Sequence, residues 1–228
     1  MWEMDLFGHS VQHSTQRLST DGHSIALERF LPETGASVPA VIGLHGSGGI
    51  RGGFIEPARL LAANGFAVFV PHFFERTETV WADERNIRRE FPAWMATVLD
   101  TIAYAQAHPG IDQSRIGLLG FSLGAYLALS VASLDDRVKA VVEYFGGLPE
   151  EFAAGLKRMA PVLILHGEQD SVVPVAEAAR LEAVLKPLNV PYEKKIYPGA
   201  GHAFSGMALL DAAQRTLAFL RKHLKNSF

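Results

Sequence analysis

Apolar residues in this sequence cluster in short runs, and longer amphipathic segments separate the runs. Many of the runs are rich in Val, Ile and Leu and have the length of β-strands: residues 24–31, 40–44, 66–70, 116–119, 140–144, 162–165 and 192–196. Several are apolar along nearly their whole length, which is typical of strands that are covered on both faces. The pattern therefore predicts a central, mostly parallel β-sheet.

Between these runs, apolar residues recur at helical spacing. One helix face is predicted from residues at i, i+3, i+4 and i+7, namely Met95, Val98, Leu99 and Ile102. Similar stripes recur in residues 181–188 and 210–224, and residues 57–63 precede an Asn-Gly pair that is typical of a helix end. The alternation of strands and helices predicts an α/β fold, a doubly wound sheet with helices on both faces. A polar alternation over residues 11–18 predicts an additional antiparallel edge strand.

Composition narrows the class of protein. The 228 residues contain no internal repeat and no long linker, so we expect one domain over residues 1–228. The net charge of -3 comes without a basic tract, which gives no support to a nucleic-acid partner. The absence of cysteine excludes disulfides, thiolate metal sites and a cysteine nucleophile. No apolar run approaches the roughly 18 residues of a membrane span, and the start does not read as an export signal, so we expect a cytoplasmic protein without a membrane partner.

The clearest chemical motif is a G-x-S-x-G sequence that joins an apolar strand to a helix of small residues. Gly120, Ser122 and Gly124 form this motif, and residues 125–132 follow as the predicted helix. In such a context the serine lies on a tight turn with its hydroxyl exposed, and the glycines keep neighbouring backbone clear of it. Ser122 is therefore the candidate nucleophile, and the structural alternative is a serine that merely caps the helix.

A serine nucleophile needs a base that takes its proton and a carboxylate that orients the base. Asp170 and His202 each lie on a loop just after a predicted strand. Since the carboxyl ends of parallel strands lie at one edge of a sheet, these loops should meet the Ser122 turn. We therefore predict a catalytic triad in the chain order Ser, Asp, His. Glu143 and Asp136, at the predicted strand 140–144 that precedes the strand leading to Asp170, are the alternative acids.

A glycine-rich turn with the sequence HGSGG begins at His45, directly after the strand at residues 40–44. Such a turn is suited to presenting backbone amides, and we assign those of Ser47 and Leu123 as the donors of an oxyanion hole. Nucleotide binding is not supported, because the turn lacks the lysine of a P-loop and has Arg51 where G-x-G-x-x-G requires a glycine.

The nine histidines form no H-E-x-x-H motif, so we expect neither a metal nor a cofactor. His45 and His166 each end a strand and precede a glycine. We expect both to be hydrogen-bonded supporting residues.

These segments together resemble the α/β-hydrolase superfamily and, within it, the dienelactone hydrolase-like branch. The resemblance covers about residues 24–224 and rests on LHGSGG at 44–49, GFSLG at 120–124, HGEQD at 166–170 and PGAGHAF at 198–204. It implies an α/β-hydrolase fold. The named family is built around a cysteine nucleophile, whereas serine is what esterase-like relatives of the branch use. The resemblance therefore implies carboxylic ester hydrolysis.

The spacing of the strands also predicts an open site. Residues 145–160, where many relatives place a lid, are too few for a helical cap domain. Candidate pocket residues lie after the strand at 66–70 and at the end of the strand at 140–144, and most are aromatic: His72, Phe73, Phe74, Trp81, Tyr144 and Phe145. Three arginines follow closely, Arg85, Arg88 and Arg89. They either capture a substrate carboxylate or form the solvated face of a helix, and we favour the helix face.

The sequence thus predicts a serine esterase that acts on a small-molecule ester or lactone through an acyl-enzyme. The same residues could instead pass the acyl group to an alcohol or amine, or cleave a peptide bond. A ligand-binding protein without catalysis is the alternative from outside the enzymes.

Overall fold

A computed structural model describes residues 8–50 and 54–225 of the chain. Its strands are β1 Val11–Thr20, β2 His23–Pro32, β3 Val38–Leu44, β4 Ala67–Pro71, β5 Ile111–Phe121, β6 Val138–Tyr144, β7 Val162–Gly167 and β8 Tyr192–Tyr197. They form one eight-stranded sheet in the order β1-β2-β4-β3-β5-β6-β7-β8. β2 pairs antiparallel with β1 and β4, and the other neighbours are parallel. The predicted mostly parallel sheet and its antiparallel edge strand are confirmed.

Helices cover both faces of this sheet, as the doubly wound pattern predicts. They are α1 Ile55–Ala63, α2 Glu84–Ala107, α3 Leu123–Leu134, α4 Glu150–Ala153, α5 Ala176–Leu185 and α6 Gly206–Leu224. Buried side chains of α1 and α6 pack on one face, and those of α2, α3 and α5 pack on the other. No helix in the described ranges is long and apolar enough to cross a membrane. The expectation of no export signal concerns the start of the chain, and residues 1–7 lie outside these ranges.

Two elements extend well beyond their predicted bounds. β5 begins at Ile111, before the apolar run at 116–119, because Ile111 pairs with Val38 of β3. α2 begins at Glu84 because a capping box fixes its start: the Asp83 side chain accepts the Asn86 amide, and the Asn86 side chain accepts the Asp83 amide, at 2.9 and 2.8 Å.

The carboxyl ends of β3, β5, β6, β7 and β8 lie side by side at one edge of the sheet, because these strands are parallel neighbours. The segment between β6 and β7 contains only the four-residue helix α4. The candidate site is built from the loops at this edge.

Candidate active site

Ser122 occupies the tight turn between β5 and α3. Its backbone has φ 54° and ψ -119°, a conformation that costs about 1–3 kcal/mol for a residue with a side chain. Its amide donates to the Tyr144 carbonyl at 2.9 Å, and its own carbonyl accepts the amide of Ala125 at 2.8 Å. The start of α3 and the end of β6 therefore hold the turn from two sides.

The glycines of the motif are required by close approach. A Cβ on Gly120 would lie 2.2 Å from the Gly124 carbonyl oxygen, and a Cβ on Gly124 would lie 2.1 Å from the Leu44 carbonyl oxygen. Only glycine lets α3 begin this close to the ends of β3 and β5.

The structure brings Ser122, His202 and Asp170 into one hydrogen-bonded chain. The His202 Nε2 atom lies 2.9 Å from Ser122 Oγ, and its Nδ1 atom lies 2.8 Å from Asp170 Oδ2. Since the ionised carboxylate only accepts, Nδ1–H donates to Asp170 and leaves Nε2 free to accept the serine hydroxyl. This is the arrangement in which imidazole acts as a base toward the hydroxyl.

Asp170 is held in place by backbone amides as well as by the histidine. Its Oδ1 atom accepts the amides of Val172 and Val173, both at 2.9 Å. Burial alone would raise the pKa of Asp170, but the hydrogen bonds from His202, Val173 and Val172 outweigh burial and lower the pKa below its usual value. The carboxylate is therefore ionised at neutral pH.

His166 supports the same loop from beneath. It is fully buried, and its Nε2 atom lies 2.9 Å from the Val173 carbonyl oxygen, so Nε2–H donates there. The same nitrogen lies 3.5 Å from Asp170 Oδ2. The position of His166 is that of a residue that shapes the Asp170 loop.

In the described ranges, neither of the two alternative acids is hydrogen-bonded to His202. Asp136 precedes the start of β6 and so lies at the amino ends of the parallel strands, whereas Ser122 lies at their carboxyl ends. Glu143 lies near the end of β6, but its Oε2 atom accepts the Gly146 amide at 2.8 Å, and burial raises its pKa to about 8. A neutral glutamic acid would not stabilise an imidazolium, and Asp170 is the acid in contact with His202.

The glycine-rich turn after β3 lies beside the serine. A Cβ on Gly46 would lie 4.0 Å from Ser122 Oγ. Within the described ranges, the amides of Ser47 and Leu123 donate to no protein acceptor. The Gly49 amide donates to the Gly46 carbonyl, and the Ala82 amide donates to the Ser47 carbonyl, both at 3.0 Å. The turn is therefore fixed while the two amides assigned to an oxyanion hole remain free.

His45 supports this turn from the interior. Its ring stacks on Phe73 with centroids 3.9 Å apart, and its Nδ1–H donates to the Gly46 carbonyl at 2.9 Å. Burial lowers the pKa of His45 to about 4, so the ring is neutral near pH 7.

A cleft of about 400 Å³ opens above Ser122 and His202. Its walls come from the glycine-rich turn and from apolar side chains on several loops: Phe54, Trp81, Phe121, Phe145, Val172 and Ala203. Trp81 also borders a second cleft of about 430 Å³, which Phe74, His72 and Glu75 line together with His45. The reacting group would thus lie in a mostly apolar site.

The comparison with protein families identifies the group to which this chain belongs. The model of the family described as "Dienelactone hydrolase family" matches residues 29–218, which include every segment of the site. The chain belongs to the dienelactone hydrolase family. Its fold and its hydrolase class follow from that membership.

Individual relatives are distant. A protein of Methylorubrum extorquens named "Putative carboxymethylenebutenolidase" is 28% identical over 77% of this chain and 66% of its own length. A protein of Synechocystis with the same name is 24% identical over 95% of this chain and 100% of its own length. The crystal structure of a dienelactone hydrolase from Anabaena variabilis superposes with a TM-score of 0.78 at 24% identity, covering 95% of this chain and 100% of that one. The structural likeness at this identity concerns the fold.

In this member of the dienelactone hydrolase family, only part of the expected pocket lines the cleft above Ser122. Trp81 and Phe145 do so, and Phe74 lines the adjoining cleft. Phe73 is fully buried beneath His45, outside both clefts. Tyr144 lines neither cleft: it is buried against the rings of Phe121 and Phe145, and its hydroxyl lies 2.7 Å from that of Thr216 on α6.

The three arginines lie on the first turns of α2 and line neither cleft. Arg88 pairs with Glu84 at 2.9 Å, Arg89 pairs with Glu90, and Arg85 is exposed. Their position is that of the solvated helix face.

The sequence analysis did not identify four residues that line the cleft above Ser122. Phe121, Val172 and Ala203 each stand within two positions of a triad residue, so the motifs themselves could have pointed to them. Phe54 has no such signal, because it reaches the cleft through its packing against Phe121, a contact that the sequence does not record.

Proposed function

We propose that this protein is a serine hydrolase that cleaves carboxylic esters of small molecules through an acyl-enzyme. The observation that carries the proposal is the hydrogen-bonded chain from Ser122 through His202 to Asp170. Ser122 lines one cleft with Ser47, and the amides of Ser47 and Leu123 have no protein acceptor in the described ranges. A nucleophile, a base, an acid and oxyanion donors are the groups that acyl transfer requires.

In the acylation step, His202 Nε2 takes the hydroxyl proton as Ser122 Oγ attacks the acyl carbon. The negative charge that forms on the acyl oxygen would be bound by the amides of Ser47 and Leu123. Asp170 stabilises the imidazolium, which then gives its proton to the departing alkoxide. In the second half of the reaction, water gives a proton to His202 and attacks the acyl carbon, and the carboxylic acid leaves Ser122.

Lactone hydrolysis is the second candidate, because a lactone is a cyclic ester and the family is named for dienelactones. The names of the relatives refer to a lactone that carries a carboxyl group. Of the described residues, those that line the cleft include no lysine or arginine that would bind such a carboxylate. We therefore propose that neutral esters and neutral lactones are the better substrates.

A substrate panel tests this function. It contains p-nitrophenyl esters from acetyl to dodecanoyl, a neutral lactone and a peptide p-nitroanilide, with and without an added alcohol acceptor. We expect hydrolysis of short and medium esters, with a benefit of at most about 0.8 kcal/mol per buried methylene that ends when the apolar cleft is filled. Faster turnover of the peptide anilide, or transfer to the alcohol in preference to water, would contradict the proposal.

A further inference from the structure

Glu143 is a buried acid that the proposed reaction does not use. It lies on β6, its side chain is fully buried, and its Oε2 atom accepts the Gly146 amide at 2.8 Å. Within the described ranges its Oε1 atom has no hydrogen-bond partner, and no cation pairs with the group. A buried acid without a cation needs an explanation, because apolar residues fit such a site at lower cost.

The hydrogen bond of Glu143 closes a tight turn over residues 143–146. Inside this turn, Phe145 has φ 43°, an unfavourable value for an aromatic residue. Its amide donates to the Leu165 carbonyl of β7 at 2.7 Å. The turn is therefore strained, and the Glu143 side chain and a backbone bond to β7 hold it.

The same turn contacts both the nucleophile and the base. The Tyr144 carbonyl accepts a hydrogen bond from the Ser122 amide at 2.9 Å, and the ring centroids of Phe145 and His202 are 4.8 Å apart. A Cβ on Gly146 would lie 3.2 Å from the Ser122 carbonyl oxygen. A displacement of this turn would move Ser122 and His202 relative to each other.

We infer that Glu143 is a positioning residue whose side chain holds the turn at residues 143–146 and thereby the contact between Ser122 and His202. This inference rests on the proposed function, since it concerns the same two residues. Glu143 touches neither substrate nor reacting atoms, so its effect passes through the turn.

The surroundings of Glu143 disfavour its charged form. Burial raises its pKa to about 8, and the Gly146 hydrogen bond offsets this only in part. Tyr126 of α3 interacts electrostatically with Glu143, and also with Glu177 and Arg180 of α5 and with Asp170, while His202 lies on the far side of Phe145. Most of these are acidic or neutral, and Arg180 is exposed and paired with Glu177. Ionisation above pH 8 would therefore place an uncompensated charge under the turn, and turnover should fall.

The test compares wild type with Glu143→Gln and Glu143→Ala, measuring kcat and KM on a neutral short-chain ester from pH 6 to 10, with spontaneous hydrolysis subtracted. Glutamine keeps an acceptor for the Gly146 amide and cannot ionise. We expect Glu143→Gln to keep most of the wild-type kcat at pH 7 and to lose the fall above pH 8. We expect Glu143→Ala to lower kcat about 10- to 100-fold with little change in KM, because misplacement of reacting groups acts on the chemical step.

Three results would overturn the inference: an alkaline fall that persists in Glu143→Gln, an equal loss of kcat at pH 7 in both variants, or a wild-type kcat in Glu143→Ala. If Glu143→Ala does not fold, the pH profile of Glu143→Gln still decides. Ser122→Ala measured alongside separates this inference from the proposed function. If Ser122→Ala turns over the ester as fast as wild type does, the function has failed; if only the Glu143 variants behave as wild type, the inference alone has failed.

Discussion

The backbone turn at Ser122 depends on residues that have no side chain. Gly124 lies so close to the Leu44 carbonyl, and Gly120 so close to Gly124, that even a methyl group has no room. The strain at φ 54° is thus maintained by packing on both sides of the turn. Exposure of the hydroxyl is the consequence.

Replacing Gly124 by alanine should therefore reduce both stability and activity. The new Cβ would overlap a backbone oxygen that no side-chain movement can relieve, so we expect a loss of about 1–3 kcal/mol or more in the free energy of unfolding. Gly155→Ala is the matched control, because Gly155 is exposed and a Cβ there meets nothing within 4 Å. Urea denaturation of both variants checks this, and a Gly124→Ala variant as stable as Gly155→Ala would contradict the account of the turn.

Asp170 should be the acid on which turnover depends. Asparagine at this position cannot stabilise an imidazolium, so Asp170→Asn should lower kcat about 10²- to 10⁴-fold. Asp136→Asn is the control, since Asp136 lies at the opposite edge of the sheet. Steady-state kinetics of the two variants provide the measurement, and equal kcat values would remove Asp170 from the mechanism.

The positions of these site residues could be predicted from the sequence to different degrees. Ser122, Asp170 and His202 follow apolar runs, and the chain order of the three residue types restricts the choice. Phe73 and Phe74 are adjacent in sequence, yet one is buried under His45 and the other borders a cleft. The 3-10 helix Phe73–Thr77 sets the directions of the two side chains, and so short an element has no periodic pattern from which it could be predicted.

At the scale of elements, Glu143 on β6 makes the free energy of unfolding depend on pH. The pKa of this group is about 8 in the folded protein and near its ordinary value of 4.5 when unfolded. Between these values the unfolded chain has lost the proton while the folded protein keeps it. The contribution of Glu143 to the free energy of unfolding is therefore fully present below pH 4.5 and is lost as the pH rises toward 8.

We expect the free energy of unfolding of wild type to fall between pH 5 and 8 by on the order of 1 kcal/mol per pH unit relative to Glu143→Gln, which has no titrating group at this position. Denaturation curves of both proteins across this range give the difference. Parallel pH dependences would show that Glu143 is already ionised in the folded state.

The elements themselves could be predicted wherever their burial is regular. β3, β4, β6 and β7 are buried almost throughout, so their apolar runs are continuous. The first residues of β5 are mostly polar and join the sheet only because β3 pairs with them. Likewise α2 begins well before its apolar stripe, at a capping box. Pairing and capping are contacts that a hydrophobic pattern does not record.

At the scale of the whole molecule, segments far apart in sequence form the cleft, from His45 to Ala203. The fold separates this apolar cleft from the arginines at the start of α2. A substrate would therefore meet aromatic and aliphatic walls, and the cations of α2 face solvent.

A neutral ester should accordingly have a higher kcat/KM than its carboxylate analogue, and the ratio should change little between low and high salt. Long-range attraction by surface cations is screened at high ionic strength, so a salt-sensitive preference for the anion would reveal it. Alanine variants of Arg85, Arg88 and Arg89 should keep the wild-type ratio. An anion preference that collapses in any of these variants would contradict the expected role of the cleft.

The central claim is that Ser122 forms the acyl-enzyme, and reaction with a fluorophosphonate tests it most directly. Mass spectrometry of digested wild type should find one modification, on Ser122, and Ser122→Ala should resist labelling while its kcat falls about 10⁴-fold or more. A circular dichroism spectrum and a thermal midpoint close to those of wild type would show that the variant is folded. Labelling at another residue such as Ser47, or esterase turnover that survives in Ser122→Ala, would contradict the account.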